Sequence, residues 1–169
     1  TDAREARYEF FEHCAEKFSS KVVFTAHNAD DNAETLIYRI AKGTGLEGLK
    51  GIAPVRRIFY RPLLQTYRSE IEEYCRKYNL SPNSDSSNEN TKYKRNLIRK
   101  NILPQLEKIN EGAKAAINTL SENAAADTEI INEYLASLKD KFKTHNFIKF
   151  SQPVQNRIIY TFLADNGFE

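Results

Sequence analysis

Cysteine is scarce in this chain. Cys14 and Cys75 are the only two among 169 residues, and both fall in helical patterns beside aromatic or apolar neighbours. That favours buried thiols over a disulfide or a metal pair and fits a reducing, cytoplasmic setting. No apolar run reaches the length of a membrane span and no signal-peptide pattern opens at Thr1, so no membrane association is expected. A strong charge bias is missing too, since 25 Lys and Arg against 23 Asp and Glu leave a net charge of +2. With 28% charged and 40% hydrophobic residues the chain is no disordered tail. Its length suffices for one domain, or one and a fraction, with a real core.

The small net charge hides an asymmetry. Residues 1–110 carry 19 basic and 15 acidic side chains, whereas residues 111–169 carry 6 and 8. Much of the basic excess is local: Lys92, Lys94, Arg95, Arg99 and Lys100 place five cations in nine residues with no acid among them. Such a run is either a solvated helix face or, with Tyr93 inside it, a footprint for a phosphate backbone.

The most informative stretch is residues 21–39. Val22, Val23 and Phe24 form a short apolar run of β-formers, whereas Leu36, Ile37 and Ile40 recur at helical spacing. This predicts a buried strand running straight into a helix, with His27, Asn28, Asp30 and Asp31 at the junction, where open α/β sheets bind ligands. Asp30 and Asp31 could simply stabilise the first turn of the helix. Glu34 lies beyond that turn and shares a helical face with Asp31, giving a spacing H-x-x-x-D-x-x-E that no cap requires.

The remaining pattern is α/β and mostly helical. A first helix is predicted over about Asp2 to Phe18 with Ala6, Phe10, Cys14 and Phe18 as its stripe. Gly43-Thr-Gly45-Leu-Glu-Gly48 has the letters of a dinucleotide fingerprint but ends a helix instead of opening one, so it reads as a helix C-cap and mobile loop beside the crevice. An extended segment spans residues 54–64, with Pro62 at a strand end or edge. A helix follows over about Thr66 to Tyr78, then a Ser- and Asn-rich linker from Asn79 to Thr91. Lys92 to about Ile109 reads as a helix that Pro104 kinks or splits. Ala113 to about Lys143 reads as a long helix broken near Asn123 to Thr128, with Ala116, Leu120, Ile130, Ile131, Tyr134, Leu135 and Leu138 as its stripe. Phe147–Phe150 reads as extended, before a final helix capped by Ser151 and ended at Asn166-Gly167.

Seven blocks in one order carry a family resemblance. They are Ala6-Arg7-Tyr8-x-Phe10-Phe11, Thr25-Ala-His27-x-x-Asp30-Asp31-x-Ala-Glu34-Thr35, Gly43-x-Gly45-x-x-Gly48-Leu-x-Gly51-Ile52, Arg61-Pro62-Leu63-Leu64, Asp85-x-Ser87-Asn88, Tyr93-x-Arg95-Asn96-x-Ile98-Arg99 and Ile102-Leu103-Pro104-x-Leu106. In these the chain resembles the bacterial tRNA(Ile)-lysidine synthetases, well over residues 3–106 and as a helical region over 111–169. The resemblance implies a Rossmann-like adenine-nucleotide alpha-hydrolase domain, truncated, over residues 1–110, and an incomplete helical tRNA-substrate-binding region over 111–169.

The implied activity is ATP-dependent ligation of lysine to the wobble cytidine of the isoleucine tRNA with anticodon CAU. ATP adenylates the cytosine C2 oxygen, and the lysine amine then displaces AMP. By motif position the implied catalytic residues are Arg7, His27, Asp31, Glu34, Asn88 and Arg99. Asp31 and Glu34 would hold the lysine cation, or a Mg²⁺ on the ATP phosphates. Arg99 is assigned to the crevice, which leaves Arg95 and Lys100 of the basic run as candidate tRNA-phosphate contacts. The partners are tRNA(Ile), L-lysine and ATP, and an oligomer stays open. The family's ATP-gripping Ser-Gly-Gly-x-Asp-Ser loop does not occur in the sequence, so no ATP-binding residue is assigned, and a fragment that is inactive by itself is expected. Three rivals stand beside this reading: a tRNA thiolase of the same ATP-pyrophosphatase class, whose paired cysteines Cys14 and Cys75 do not supply; a non-catalytic RNA-binding module; and a metalloenzyme on His27, Asp31 and Glu34, whose oxygen-rich set suits transient Mg²⁺ better than structural Zn²⁺.

Overall fold

The computed structural model describes residues 3–83 and 94–167. The chain forms two compact units, residues 1–125 and 126–169. The first opens with helix α1 (Ala3–Lys17), strand β1 (Val23–Phe24), helix α2 (Ala29–Lys42), the short helix α3 (Leu46–Leu49) and the hairpin strands β2 (Val55–Arg56) and β3 (Phe59–Tyr60). Helices α4 (Arg68–Lys77) and α5 (Lys94–Leu97), a π-helical turn (Ile98–Ile102), α6 (Leu103–Ile109) and the start of α7 (Ala113–Ser137) complete it. The second unit holds the rest of α7, α8 (Thr144–Phe147) and α9 (Gln152–Asp165). No helix among the described residues is long and apolar enough to cross a membrane.

The sheet has the order β1-β3-β2. β1 runs parallel to β3, Val23 against Phe59 and Phe24 against Tyr60, while β2 pairs antiparallel with β3. The ladder extends past β1, because Thr25 N–H donates to the Tyr60 carbonyl at 2.9 Å. That bond aims residues 25–27 out of the sheet toward the start of α2. The buried strand expected here is a two-residue edge strand instead, and Phe24 is 68% exposed. An edge strand is covered on one side only, so an apolar run does not guarantee burial.

Helix α1 buries a different face from the expected one. Phe10 and Phe18 are exposed, whereas Ala15 is buried and Tyr8 packs edge-on against Phe59, centroids 4.7 Å apart. The stripe at intervals of four was real periodicity, but the aromatic ring that meets the sheet is Tyr8. The core of the first unit is Ala33 of α2 against Ile98 and Leu103, with Ile37, Tyr38, Leu106 and Ile117 around it. Alanine at position 33 leaves room for two branched side chains from the helix crossing α2.

Residues 94–109 run as one helical path whose middle is a π turn, with Leu103 N–H bonded to the Ile98 carbonyl. Pro104 lacks an N–H and would clash with a regular preceding turn, and the wide turn accommodates it without a break. The kink predicted at Pro104 is thus a π turn just ahead of it. α7 continues without interruption through 123–128, and its buried positions Ala113, Ser121, Ala124, Thr128 and Leu135 differ from the predicted stripe except at Leu135. In the second unit Ile158 is buried and Phe142 packs on Phe162, 5.4 Å between centroids. Phe147–Phe150, expected to be extended, instead closes the helical turn α8 at Phe147 and continues as turn and bend, and Ser151 occupies the N-cap of α9 as anticipated.

Candidate active site

Asn28 starts the site by capping α2. Its Oδ1 accepts the Asp31 N–H at 2.9 Å and its own N–H donates to Asp31 Oδ2 at 3.1 Å, a reciprocal capping box. One oxygen of Asp31 is therefore fixed by the cap, and Oδ1 turns outward. Asp30 faces elsewhere: it accepts the Arg68 N–H at the start of α4 at 2.7 Å and pairs with Lys114 at 3.1 Å. Asp30 thus steadies neighbouring helices, while Asp31 combines the cap with a charge at the crevice.

Glu34, one turn further along, is 1% exposed. Two guanidiniums enclose it and satisfy both its oxygens: Arg95 Nε donates at 2.7 Å, Arg99 Nε at 2.5 Å and Arg99 Nη2 at 3.1 Å. The same arginines reach Asp31 Oδ1, Arg95 Nη2 at 2.8 Å and Arg99 Nη2 at 3.4 Å. Hydrogen bonding to Glu34 raises Arg99 above the ordinary guanidinium value despite its burial. The sequence reading separated Arg95 from Arg99; the structure brings both onto one pair of carboxylates. Arg95 and Arg99 lie four residues apart, about one helical turn, Arg95 on α5 and Arg99 in the π turn, and both meet α2.

This quartet bears on the metal expected at Asp31 and Glu34. Glu34 has both oxygens engaged by guanidiniums and Asp31 has both engaged by a cap and two arginines, so the pair offers Mg²⁺ no free donor set. Among the described residues no group of three or more His, Cys, Asp or Glu is gathered for a metal. The residues present do not fit the metal in this arrangement.

Beyond the carboxyl end of β1 opens a cleft of about 560 Å³. Phe24, Thr25 and His27 line it from the strand end, and Asp31, Thr35 and Arg39 line it along one face of α2 at intervals of four. Six arginines face it, Arg4, Arg7, Arg39, Arg56, Arg61 and Arg95, against Asp31 as the single acid among the described residues. His27 Nδ1 shares a hydrogen bond of 3.0 Å with Thr25 Oγ1, leaving Nε2 without a partner among the described residues. Burial holds His27 below its ordinary value of 6.5. Asp31 opposes this, while Arg61, Arg95 and Arg4 reinforce it, so the imidazole is neutral at pH 7. Tyr8 is lowered as well: its burial opposes ionisation, but Arg61 and Arg4 outweigh it.

The sequence-predicted residues divide accordingly. Arg7, His27, Asp31 and Arg95 line the cleft, whereas Glu34 and Arg99 stand behind it and hold Asp31 and Arg95 in place. Lys100 is exposed on the π turn. Asn88 lies outside the described residues. Sequence reasoning missed Arg4, Arg39, Arg56 and Arg61. The i, i+4, i+8 progression Asp31, Thr35, Arg39 could have revealed Arg39, while Arg61 was noticed only as part of an Arg-Pro-Leu-Leu block.

The sheet, the flanking helices and the cleft at the strand end define an α/β domain of the adenine-nucleotide alpha-hydrolase kind. More narrowly, the chain belongs to the PP-loop domain family, which it matches over residues 1–106. It is similar to proteins named tRNA(Ile)-lysidine synthase. That of Clostridium acetobutylicum is 48% identical over 101 residues, covering 59% of this chain and 22% of the relative. That of Clostridium perfringens is 54% identical over 97 residues, 57% of this chain and 21% of the relative. That of Thermotoga maritima is 46% identical over 101 residues, 60% of this chain and 24% of the relative. The matched stretch spans between a fifth and a quarter of the length of these relatives.

Proposed function

We propose that this chain supplies the lysine- and tRNA-facing part of a tRNA(Ile)-lysidine synthase, residues 1–110 belonging to the catalytic domain and 111–169 to a helical tRNA-substrate-binding region. The observation that carries the reading is Asp31, the one carboxylate among the described residues of a cleft lined by six arginines, beside a neutral histidine. Such a cleft suits a substrate that is mostly phosphate and carries one ammonium group, which is what ATP, tRNA and lysine present together. Names of the relatives point the same way.

In the reaction, adenylation of the cytosine C2 oxygen releases pyrophosphate, and AMP is the second leaving group. The lysine amine nitrogen forms the new bond to C2 as the C2–O bond breaks and AMP departs with the electron pair. The amine must shed a proton, and His27 Nε2 is the acceptor, available because the ring is neutral. Asp31 Oδ1 receives the lysine ammonium that does not react. That contact competes with Arg95, whose side chain is 47% exposed, and an Arg95 released from Asp31 turns toward RNA phosphate. Lys100 adds a second phosphate contact from the π turn. Arg7 meets phosphate at the rim, and Asn88 is assigned to the site by its motif position. Glu34 and Arg99 act through the residues they hold.

The test is to incubate the protein carrying this chain with ATP, lysine and tRNA(Ile) bearing CAU, and to read the wobble cytidine by mass spectrometry. Attached lysine with release of AMP is expected. Sulfur transfer that ignores lysine would establish the thiolase reading, and RNA binding with no ATP turnover the non-catalytic one.

A further inference from the structure

Arg39 and Arg61 of the cleft have no carboxylate partner among the described residues. Arg39 Nη1 donates to the carbonyls of Gly48 and Gly51 at 2.7 and 2.8 Å. Arg61, 6% exposed, donates from Nη1 to the Ala53 carbonyl at 2.6 Å and from Nη2 to Tyr8 Oη at 3.4 Å. Its buried Nε has no acceptor among the described residues. A guanidinium taken out of water without a counter-charge is costly, and nearby carboxylates ordinarily repay it. Here backbone carbonyls do part of that work and the positive charge is left over. Arg4 adds a third guanidinium, set over the Tyr8 ring at 5.7 Å; burial, and after it the field of Arg4, lowers Arg39.

The segment that supplies these carbonyls is itself pinned. Asn32 Oδ1 accepts the Ile52 N–H at 2.7 Å, and the Asn32 amide reaches Asn118 at 3.1 Å. Gly51 has φ +68°, and a Cβ there would run into Asn32 Oδ1 and Ser121 Oγ. The mobile loop expected from the glycines is therefore a strap, fixed at residues 48, 51, 52 and 53. It fixes the two guanidiniums before any ligand arrives, as an anion receptor requires, because no ordering is left to be done on binding.

We propose that Arg39 and Arg61, oriented by the strap 48–53, form a receptor for a phosphate group on the cleft wall. The planar forks suit tetrahedral oxyanions, and both arginines have N–H groups not used by the strap. The phosphate belongs to a mononucleotide or pyrophosphate, or to the RNA backbone. Which of these it is rests on the function proposed above; the receptor itself does not.

The test titrates the full chain with inorganic pyrophosphate, with AMP and with a short oligoribonucleotide containing CAU, and again after Arg39→Gln, Arg61→Gln and Arg57→Gln. Arg57 is exposed on the hairpin and paired with Glu12. At least one probe should bind, and either cleft substitution should weaken it by about tenfold or more, the loss expected for a charge-assisted pair, while Arg57→Gln leaves it unchanged. If a Gln variant fails to fold by circular dichroism, the Lys variant at the same position replaces it; it keeps the charge and loses the fork, and a loss of roughly threefold or more is expected. AMP or pyrophosphate binding identifies the mononucleotide source, and binding of the oligoribonucleotide alone identifies the backbone. No probe bound by the folded chain, binding indifferent to both arginines, or competition by free lysine in place of phosphate would overturn the receptor. Loss of phosphate binding in the variants, with no lysine on tRNA from the protein carrying this chain, would keep the receptor and reject the proposed function. Lysine ligation with phosphate binding indifferent to Arg39 and Arg61 would do the reverse.

Discussion

Replacing Glu34 by Gln removes one charge and almost no volume, so its effect isolates the buried carboxylate. Three N–H donors from two guanidiniums converge on it. A glutamine keeps one acceptor oxygen but turns an NH₂ toward a guanidinium, donor against donor. Breaking a fully buried pair from one side costs about 3–5 kcal/mol. Two features reduce this: the Arg95 and Arg99 side chains are 47% and 26% exposed, and both retain Asp31 as a partner. The expected loss is about 2–3 kcal/mol, roughly a 30- to 150-fold fall in the folded-to-unfolded ratio. The chain has no tryptophan, so the urea midpoint is read by far-UV circular dichroism. A cycle with Arg99→Gln should return a coupling of about 1–3 kcal/mol, because the second substitution removes a charge the first left unpaired. In the protein carrying this chain, Glu34→Gln should abolish most ligation with tRNA affinity nearly unchanged. A loss under about 1 kcal/mol with no coupling to Arg99 would show that Glu34 does not hold the arginines, and the argument for the quartet would fail.

Three further outcomes follow from the geometry. Gly51→Ala should cost about 2 kcal/mol or more, from a positive φ and from the collision with Asn32 and Ser121, and the urea midpoint reads it; a neutral substitution would mean the strap is loose. His27, lowered by burial, contributes stability that is whole above its ordinary value of 6.5 and is lost as pH falls from there through its lower folded value; urea unfolding at pH 7.5 and pH 5 should show this acid loss in the parent and a smaller one in His27→Gln, and equal losses would refute it. The salt dependence of tRNA binding should steepen by up to about one unit when lysine is added, and Arg95→Ala should remove that increment, whereas Lys100→Ala should flatten the slope by roughly one unit with or without lysine.

How much of this was legible in the sequence differs by residue. The junction at His27 to Glu34 was readable because it rests on local rules: a strand of β-formers, acids in a first helical turn, and carboxylates three apart on one helix face, with the structure placing the cap at Asn28. The glycines at 43 and 51 were recognised as breakers, and both do take positive φ. What the local pattern did not contain was the partner of each charge. Arg95 and Arg99 were given different partners within one basic run, and that both turn to α2 depends on the π turn that holds Arg99 and on Ala33 admitting Ile98 and Leu103. The buried face of α1 failed for the same reason, since Phe10 and Tyr8 are both aromatic and only the position of Phe59 decides between them.

The least legible feature was the strap. A glycine-rich run reads as mobile because its composition supplies no side chains to hold it, yet here the holding groups come from elsewhere in the chain. Arg39 and Asn32 reach it from α2 and Arg61 from beyond β3, all acting on its backbone. Carbonyl and N–H groups are the same at every residue, so a segment held through its backbone leaves almost no mark in its own sequence. The mark falls on the residues that do the holding. An arginine with no acid within reach of its helix neighbours, as at Arg39, and one set just before a proline at a strand end, as at Arg61, are cations whose place in a mostly helical chain has no local electrostatic reason. Where the local sequence gives a buried charge no partner, the partner is a distant side chain, as for Glu34, or backbone, or ligand. In this cleft the backbone takes some of the donors, and the remainder is the physical ground for expecting a phosphate.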